Sequence, residues 1–151
     1  PASARGYEIE RAYYDLDGRR VDPTQVQQGA RLVVLVTVTA DRRRAARLIV
    51  SDPLPAGLEI DNPHLLQSGS VEGLPWLNLV TEPVHTAFGA DRFVAAVNRE
   101  RRDPSSFQLA YVVRAVSPGE FHHPAAAVEA MYQPQLRGRT ASGSVLIRAA
   151  E

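Results

Sequence analysis

The residues able to do chemistry are few and scattered. Four histidines are present, His64, His85, His122 and His123, and there is no cysteine. A zinc site takes three or four His, Cys or carboxylate ligands at strand or helix spacing, and neither H-x-x-x-H nor H-E-x-x-H occurs. Adjacent side chains on a strand point to opposite faces, so His122 and His123 read as surface or rim residues beside a turn. Asp15-Leu16-Asp17-Gly18, with Asp22 nearby, lacks the order of a calcium loop: glycine stands fourth instead of sixth, and Arg19 takes the fifth, ligating place. It reads as a solvated hairpin turn. Gly69-Ser70 and Gly143-Ser144 lack the G-x-S-x-G elbow, and both phosphate-cradling glycine patterns are missing. Zero cysteine leaves the chain no disulfide, thiolate metal site or cysteine nucleophile of its own. No catalytic, metal-binding or cofactor-binding residue is assigned, and no cofactor is expected.

Charge and aromatic placement say more. All basic residues are arginine, seventeen of them against seventeen Asp and Glu, for a formal net charge of +0. A nucleic-acid binder advertises net positive charge to neutralise phosphates, so no nucleic-acid partner is expected. Arg42-Arg43-Arg44 with Arg47, and Arg99-Glu100-Arg101-Arg102, each fall where a strand ends. They read as solvated loops beside edge strands, or as a docking surface for an acidic partner, which the planar guanidinium fork suits. Met131-Tyr132-Gln133-Pro134 ends an apolar strand just before a proline. Strand alternation places Val128, Ala130 and Tyr132 on one face, so Tyr132 reads either as a core-edge tyrosine or as an interface anchor.

The elements that must position these residues are strands. Arg31 to Thr39 is β-branched and apolar, too short for a buried helix, and reads as a central strand. Tyr7 to Tyr14, Arg47 to Ser51, Arg92 to Asn98, Ser106 to Val116, Ala126 to Tyr132 and Ser144 to Ile147 follow at sandwich-like spacing. About seven strands parted by turn signals predict an all-β, antiparallel immunoglobulin- or fibronectin-like β-sandwich. Asp17-Gly18 signals a type I′ hairpin, and Ser117-Pro118-Gly119-Glu120 a type II turn. Ser51 to Gly57, with Pro53 and Pro55, predicts a rigid crossing loop. Asp61 to Phe88 predicts one long, partly ordered connection with a short helical turn after Asn62. Leu65, Leu66, Leu74, Trp76 and Leu79 give it apolar material to pack.

At 151 residues and 44% hydrophobic, residues 1–151 form one domain, large enough to bury a core without metals or crosslinks. Residues 1–5 are expected to be disordered. No apolar run approaches the roughly 18 residues of a membrane span, and no direct membrane contact is expected. Pro1 is not an initiator residue and no leader pattern follows it, so a piece of a longer polypeptide is expected.

Taken in order, these segments resemble a known family. Gly6 to Arg11 with Tyr14-Asp15, Gln28 to Val34, and Val50-Ser51-Asp52-Pro53-Leu54-Pro55-Ala56-Gly57 through Pro63 carry the first half. Pro83 to Thr86, Asp91 to Ala96, Ala110 to Gly119 and Val128 to Pro134 carry the second. Together they resemble the C-terminal, MG10-type macroglobulin-like domain of bacterial α2-macroglobulins, over nearly the whole chain. Gln133 departs from the arginine that follows Met-Tyr in many members. The resemblance implies a macroglobulin-like sandwich, the last of many in a long chain that traps proteases. In that family a bait region is cleaved and a separate domain carries a reactive Cys–Gln thioester. The implied role here is a non-catalytic module that packs against the thioester domain and neighbouring macroglobulin domains, helps shield the thioester, and rearranges after bait cleavage. Target proteases would be met through the parent, which the resemblance places in the periplasm with a lipid anchor in the inner membrane. Tyr132 is the candidate interdomain contact, supported by Met131 and Pro134, with Trp76 on a second candidate surface. The alternative is a bacterial surface adhesion or structural sandwich repeat; an enzyme domain would instead require a pocket joining His85 or His122 to an acid and a hydroxyl.

Overall fold

The computed structural model describes residues 2–66, 74, 76–77, 85–88 and 91–150, with 61–66 and 85–88 described by backbone alone. Fourteen strands and no helix occur among the described residues: β1 (Ser3–Arg5), β2 (Tyr7–Tyr14), β3 (Arg20–Val21), β4 (Val26–Gln27), β5 (Arg31–Ala40), β6 (Ala46–Pro53), β7 (Leu58–Leu66), β8 (His85–Phe88), β9 (Arg92–Arg99), β10 (Ser106–Ala115), β11 (Gly119–His123), β12 (Ala127–Ala130), β13 (Gln133–Arg139) and β14 (Gly143–Arg148). They form a six-stranded sheet β1-β13-β12-β6-β9-β8, a five-stranded sheet β3-β2-β5-β10-β7, and a three-stranded sheet β11-β14-β4. The predicted sandwich is present, and all pairings between these strands are antiparallel except β14 with β4.

Alternation builds the core. Tyr7, Ile9 and Tyr13 of β2, Val34, Val36 and Val38 of β5, and Leu109, Tyr111 and Val113 of β10 face Leu48 and Val50 of β6, Phe93, Ala95 and Val97 of β9, and Val128 and Ala130 of β12. Phe93 and Tyr111 stack with ring centres 4.6 Å apart, an offset arrangement that adds about 0.5–1.5 kcal/mol beyond area burial. The apolar run in β5 is continuous because its other face is buried too. Val33, with Ala110 and Val112 of β10, lies beneath Leu74 and Leu77, and Trp76, Tyr14, Leu16 and Leu35 pack around them. A strand covered on both faces loses the alternation that a half-solvated strand shows.

Several expectations are corrected. The 15–19 connection is not type I′, which needs positive φ at both central residues; Gly18 alone has it, at 90°. The Gly18 N–H donates to the Asp15 carbonyl at 3.1 Å and the Asp15 N–H to the Arg19 carbonyl at 2.9 Å, a type I turn closed by a glycine bulge. Gly119 takes a positive φ, 138°, well beyond the roughly +80° of a type II turn, and it opens β11 opposite Ile147. Ser51–Pro53 is not loop but the end of β6, with Asp52 opposite Phe93 and Pro53 opposite Arg92. The Leu54 N–H reaches the Asp91 carbonyl, so the Pro53 nitrogen faces the other way. On that side β12 has ended at the Ala127–Ser51 pair, and the missing donor costs nothing.

Residues 61–66, expected to open the connection with a helical turn, continue β7 against β10. The register shifts around Val112 absorb the irregularity that Pro63 imposes. Ser3–Arg5, expected to be disordered, pairs with Arg139 to Arg137 of β13. The segments 67–73, 78–84 and 89–90, which hold most of the connection expected over Asp61 to Phe88 and with it Leu79, lie outside the described residues, as do the side chains of His64, Leu65, Leu66 and His85.

Strand β13 crosses so close to β2 that a Cβ on Gly138 would overlap the Tyr7 carbonyl oxygen. Backbone cannot yield there as a flexible side chain could. Gly138→Ala is therefore expected to destabilise the fold by about 3 kcal/mol, read as a lowered urea midpoint, and an unchanged midpoint would contradict the closure of the sandwich at this edge.

Candidate functional site

Two arrangements stand out, one buried and one exposed. The strand phase that turns Leu48 and Val50 inward also turns Asp52 inward, and the phase of Tyr7, Ile9 and Tyr13 does the same to Arg11. The two charged side chains meet inside the sandwich, 4% and 1% exposed, as an ion pair from Arg11 Nη1 to Asp52 Oδ1. Arg11 Nη2 donates to the Pro124 carbonyl at 2.8 Å, and the Tyr111 hydroxyl donates to Asp52 Oδ2. Beside them the Tyr13 hydroxyl hydrogen-bonds His123 Nε2 at 2.7 Å. His123 is thus not the surface residue expected from the sequence. It is buried at 8% exposure, while His122, on the opposite face, is exposed.

Burial dominates the electrostatics. It pushes the Asp52 carboxyl up, opposed by the Arg11 charge and by the hydrogen bonds from Tyr111 and Arg11. Burial and the Asp52 charge push both phenols, Tyr13 and Tyr111, upward, so they stay protonated. His123 is pushed down to about 3 by burial, with the Arg11 and His122 charges adding to it, and stays neutral. Both Asp52 oxygens, both terminal Arg11 nitrogens and both phenol hydroxyls are hydrogen-bonded. An open groove reaches the cluster and is lined by Glu10, Arg11, Tyr13, His123, Arg20 and residues 140–144. Of these, Tyr13 and His123 hydrogen-bond each other and Arg11 is held by Asp52 and the Pro124 carbonyl, while Asp52 itself is not among the lining residues. Among the described residues no group of three or more His, Asp or Glu could hold a metal ion.

The exposed arrangement is the β12–β13 hairpin. Ala130 pairs with Gln133, leaving Met131-Tyr132 as a two-residue tip whose Met131 N–H donates to the Arg47 carbonyl at 2.8 Å. The alternation assumed for Tyr132 therefore stops at Ala130, and Tyr132 belongs to neither core nor rim. It is 82% exposed and Met131 45%, the only exposed large hydrophobics among the described residues. Pro134 follows on β13, exposed, beyond the part of the strand that β1 covers. Trp76 is placed differently. Its Nε1–H donates to the Leu16 carbonyl at 2.9 Å, its ring lies 5.4 Å from that of Tyr14, and a Cβ on Gly18 would come within 2.8 Å of it. The indole is packed on its own domain, apart from the Met131–Tyr132 tip. Sequence reasoning missed the buried cluster, although the phase of Arg11 and Asp52 against their apolar neighbours was a usable signal.

The pH behaviour of His123 follows from its low folded value. Unfolded, the ring titrates near pH 6.5; folded, near 3. Its contribution is present above about 6.5 and lost as pH falls below it, at up to about 1.4 kcal/mol per pH unit. The wild-type stability minus that of His123→Gln is expected to shrink between about pH 7.5 and about pH 5 in guanidinium melts, whereas a difference independent of pH would contradict a buried neutral ring.

Comparison with known proteins agrees with this architecture. The family model described as the bacterial α2-macroglobulin MG10 domain matches residues 6–135. α2-Macroglobulin of Escherichia coli K12 is 35% identical over 150 residues, covering 93% of this chain and 9% of its own length. That of Xylella fastidiosa 9a5c is 33% identical over 153 residues, covering 92% and 9%. Crystal structures of Salmonella α2-macroglobulin, reacted with methylamine and as a tyrosine-to-glycine mutant, each superpose at a TM-score of 0.82 with 34% identity over 98% of this chain and 10% of theirs. The chain spans about a tenth of the length of these multidomain relatives. With the fold, the ordered segments and these likenesses in agreement, the chain belongs to the MG10 domain family of bacterial α2-macroglobulins.

Proposed function

We propose that this domain is a non-catalytic module of a protease-trapping α2-macroglobulin, docking on the thioester domain through its Met131–Tyr132 tip, helping to shield the thioester and moving when the bait region is cleaved. The observation that carries this reading is the tip itself. A domain that buries its other large described apolar side chains leaves a tyrosine 82% exposed on a two-residue turn. Tyrosine gives a large rigid apolar body with a polar end, the profile of an interface anchor, and a flat ring excludes water from a bond that water would hydrolyse. The buried ionisable groups bond to one another inside the sandwich. The Salmonella relative reacts with methylamine, which supports expecting amine-reactive chemistry in a parent chain of this family. The setting that fits the reading is the periplasm, with the parent chain held by a lipid in the inner membrane and target proteases met by the parent.

Burying one aromatic side chain is worth roughly 1.5–3 kcal/mol, or about 10- to 150-fold in an equilibrium constant. In the full-length parent, Tyr132→Gly is expected to speed methylamine incorporation, without protease, within that range. Tyr132→Phe should stay close to wild type. Unchanged uptake in Tyr132→Gly would overturn the shielding role, and a parent without a reactive thioester would overturn the proposal as a whole.

A further inference from the structure

The tip does not stand alone. Ala46 pairs with Arg99 and the Ala40 N–H donates to the Ser105 carbonyl at 2.8 Å. The β5–β6 and β9–β10 loops therefore lie side by side at one end of the sandwich and line a common crevice. Strand β12 runs along β6 with Ala130 opposite Leu48, which puts the Met131–Tyr132 tip at that same end. Residues 41–47 hold four arginines and one aspartate; residues 99–103 hold three arginines against Glu100 and Asp103. These two loops together carry four net positive charges, while the chain as a whole is neutral.

The loops hold their charges in place. Arg44 pairs with Asp41 at 2.6 Å and lies over the Tyr7 ring at 5.2 Å. Arg102 pairs with Glu100 at 2.6 Å, and the Glu100 N–H donates to Asp103 Oδ2 at 2.7 Å. Arg43, Arg47 and Arg101 are exposed and have no ion-pair partner among the described residues.

We infer that Arg43, Arg47 and Arg101 form a carboxylate-binding rim around the Met131–Tyr132 tip, and that the surface the tip docks on bears aspartate or glutamate side chains placed to meet them. The inference rests on the docking role proposed above and adds the chemistry of the partner. Three exposed cations without an ion-pair partner among the described residues, at the same end of the sandwich as an exposed aromatic, match the layout of a protein interface, with an apolar anchor inside a polar rim. Guanidinium forks on loops ordered by their own hydrogen bonds suit carboxylates held at fixed positions by a folded partner. Fluid lipid headgroups need no such order, and the apolar element here is only two residues wide.

The test uses the full-length parent. Hydrogen exchange is followed in peptides covering 41–47 and 129–134, for wild type, for Arg43→Glu/Arg47→Glu/Arg101→Glu, and for the milder triple Arg→Gln variant. Peptides from β5 and β10 report that each variant is folded. Exchange at the tip is expected to rise roughly tenfold in the charge-reversed protein and less in the Gln variant. Wild type should show the same rise when salt goes from about 0.15 M to about 1 M, where the screening length falls from about 8 Å to about 3 Å. Wild-type exchange in both triple variants, with Tyr132→Gly still exposing the tip, would overturn the carboxylate rim and leave the docking role standing. If Tyr132→Gly also changes nothing, the docking role fails and the rim with it. Unchanged exchange together with arginine-dependent co-sedimentation on phosphatidylglycerol vesicles would assign these arginines to a membrane surface and overturn the inference.

Discussion

Arg11 and Asp52 are charged groups placed where the strand phase demands apolar ones, and the rest of the sandwich is arranged around keeping them together. Removing such groups from water costs several kcal/mol per ion, and close pairing with full hydrogen bonding must offset that. The structure supplies it from β2, from β6, from the Tyr111 hydroxyl on β10 and from the Pro124 carbonyl after β11. These come from the two larger sheets and from the connection after β11, so a register slip of β2 or β6 would strand a charge. The stacked Phe93–Tyr111 pair and the Tyr13–His123 hydrogen bond brace the same region.

That constraint reaches the exposed end through backbone pairing. Asp52 fixes β6; β6 carries β12 through the Ala127–Ser51 to Ala130–Leu48 pairs; and β12 ends in the Met131–Tyr132 turn, tied by its own N–H to Arg47. A two-residue turn leaves the tip few conformations to choose among, which lowers the ordering cost of any contact it makes. The ionisable residues of the core thus serve the surface by positioning it. The upward shifts of Asp52, Tyr13 and Tyr111 and the downward shift of His123 are led by burial.

The sandwich was legible because β2 and β6 alternate with period two and β5 is a β-branched apolar run too short for a buried helix, and β2, β5, β9 and β10 fall within a residue or two of the segments read from sequence. Edge elements were not. Gln133–Arg139 is polar, mostly exposed and interrupted by Pro134 and Gly138, so nothing local distinguishes it from a loop; its pairing with β12 and β1 makes it a strand. Asn62-Pro63 reads locally as a helix start, and the pairing of β7 with β10 overrides it. Arg11 and Asp52 stand 41 residues apart. Periodicity shows that each points inward but not that they meet, so the buried cluster needed the fold. The tip was half legible: Tyr132 was singled out by type and neighbours, while its exposure depended on where β12 ends.

The central claim is that one buried ion pair holds the sheets in the relation that presents the tip. A double-mutant cycle with Arg11→Met and Asp52→Leu in guanidinium unfolding tests it most directly. Each single substitution leaves an unpaired buried charge and should cost about 3–5 kcal/mol, and the double substitution should cost far less than their sum. Single costs that add to within about 0.5 kcal/mol would show that the two residues act independently, and would contradict the account.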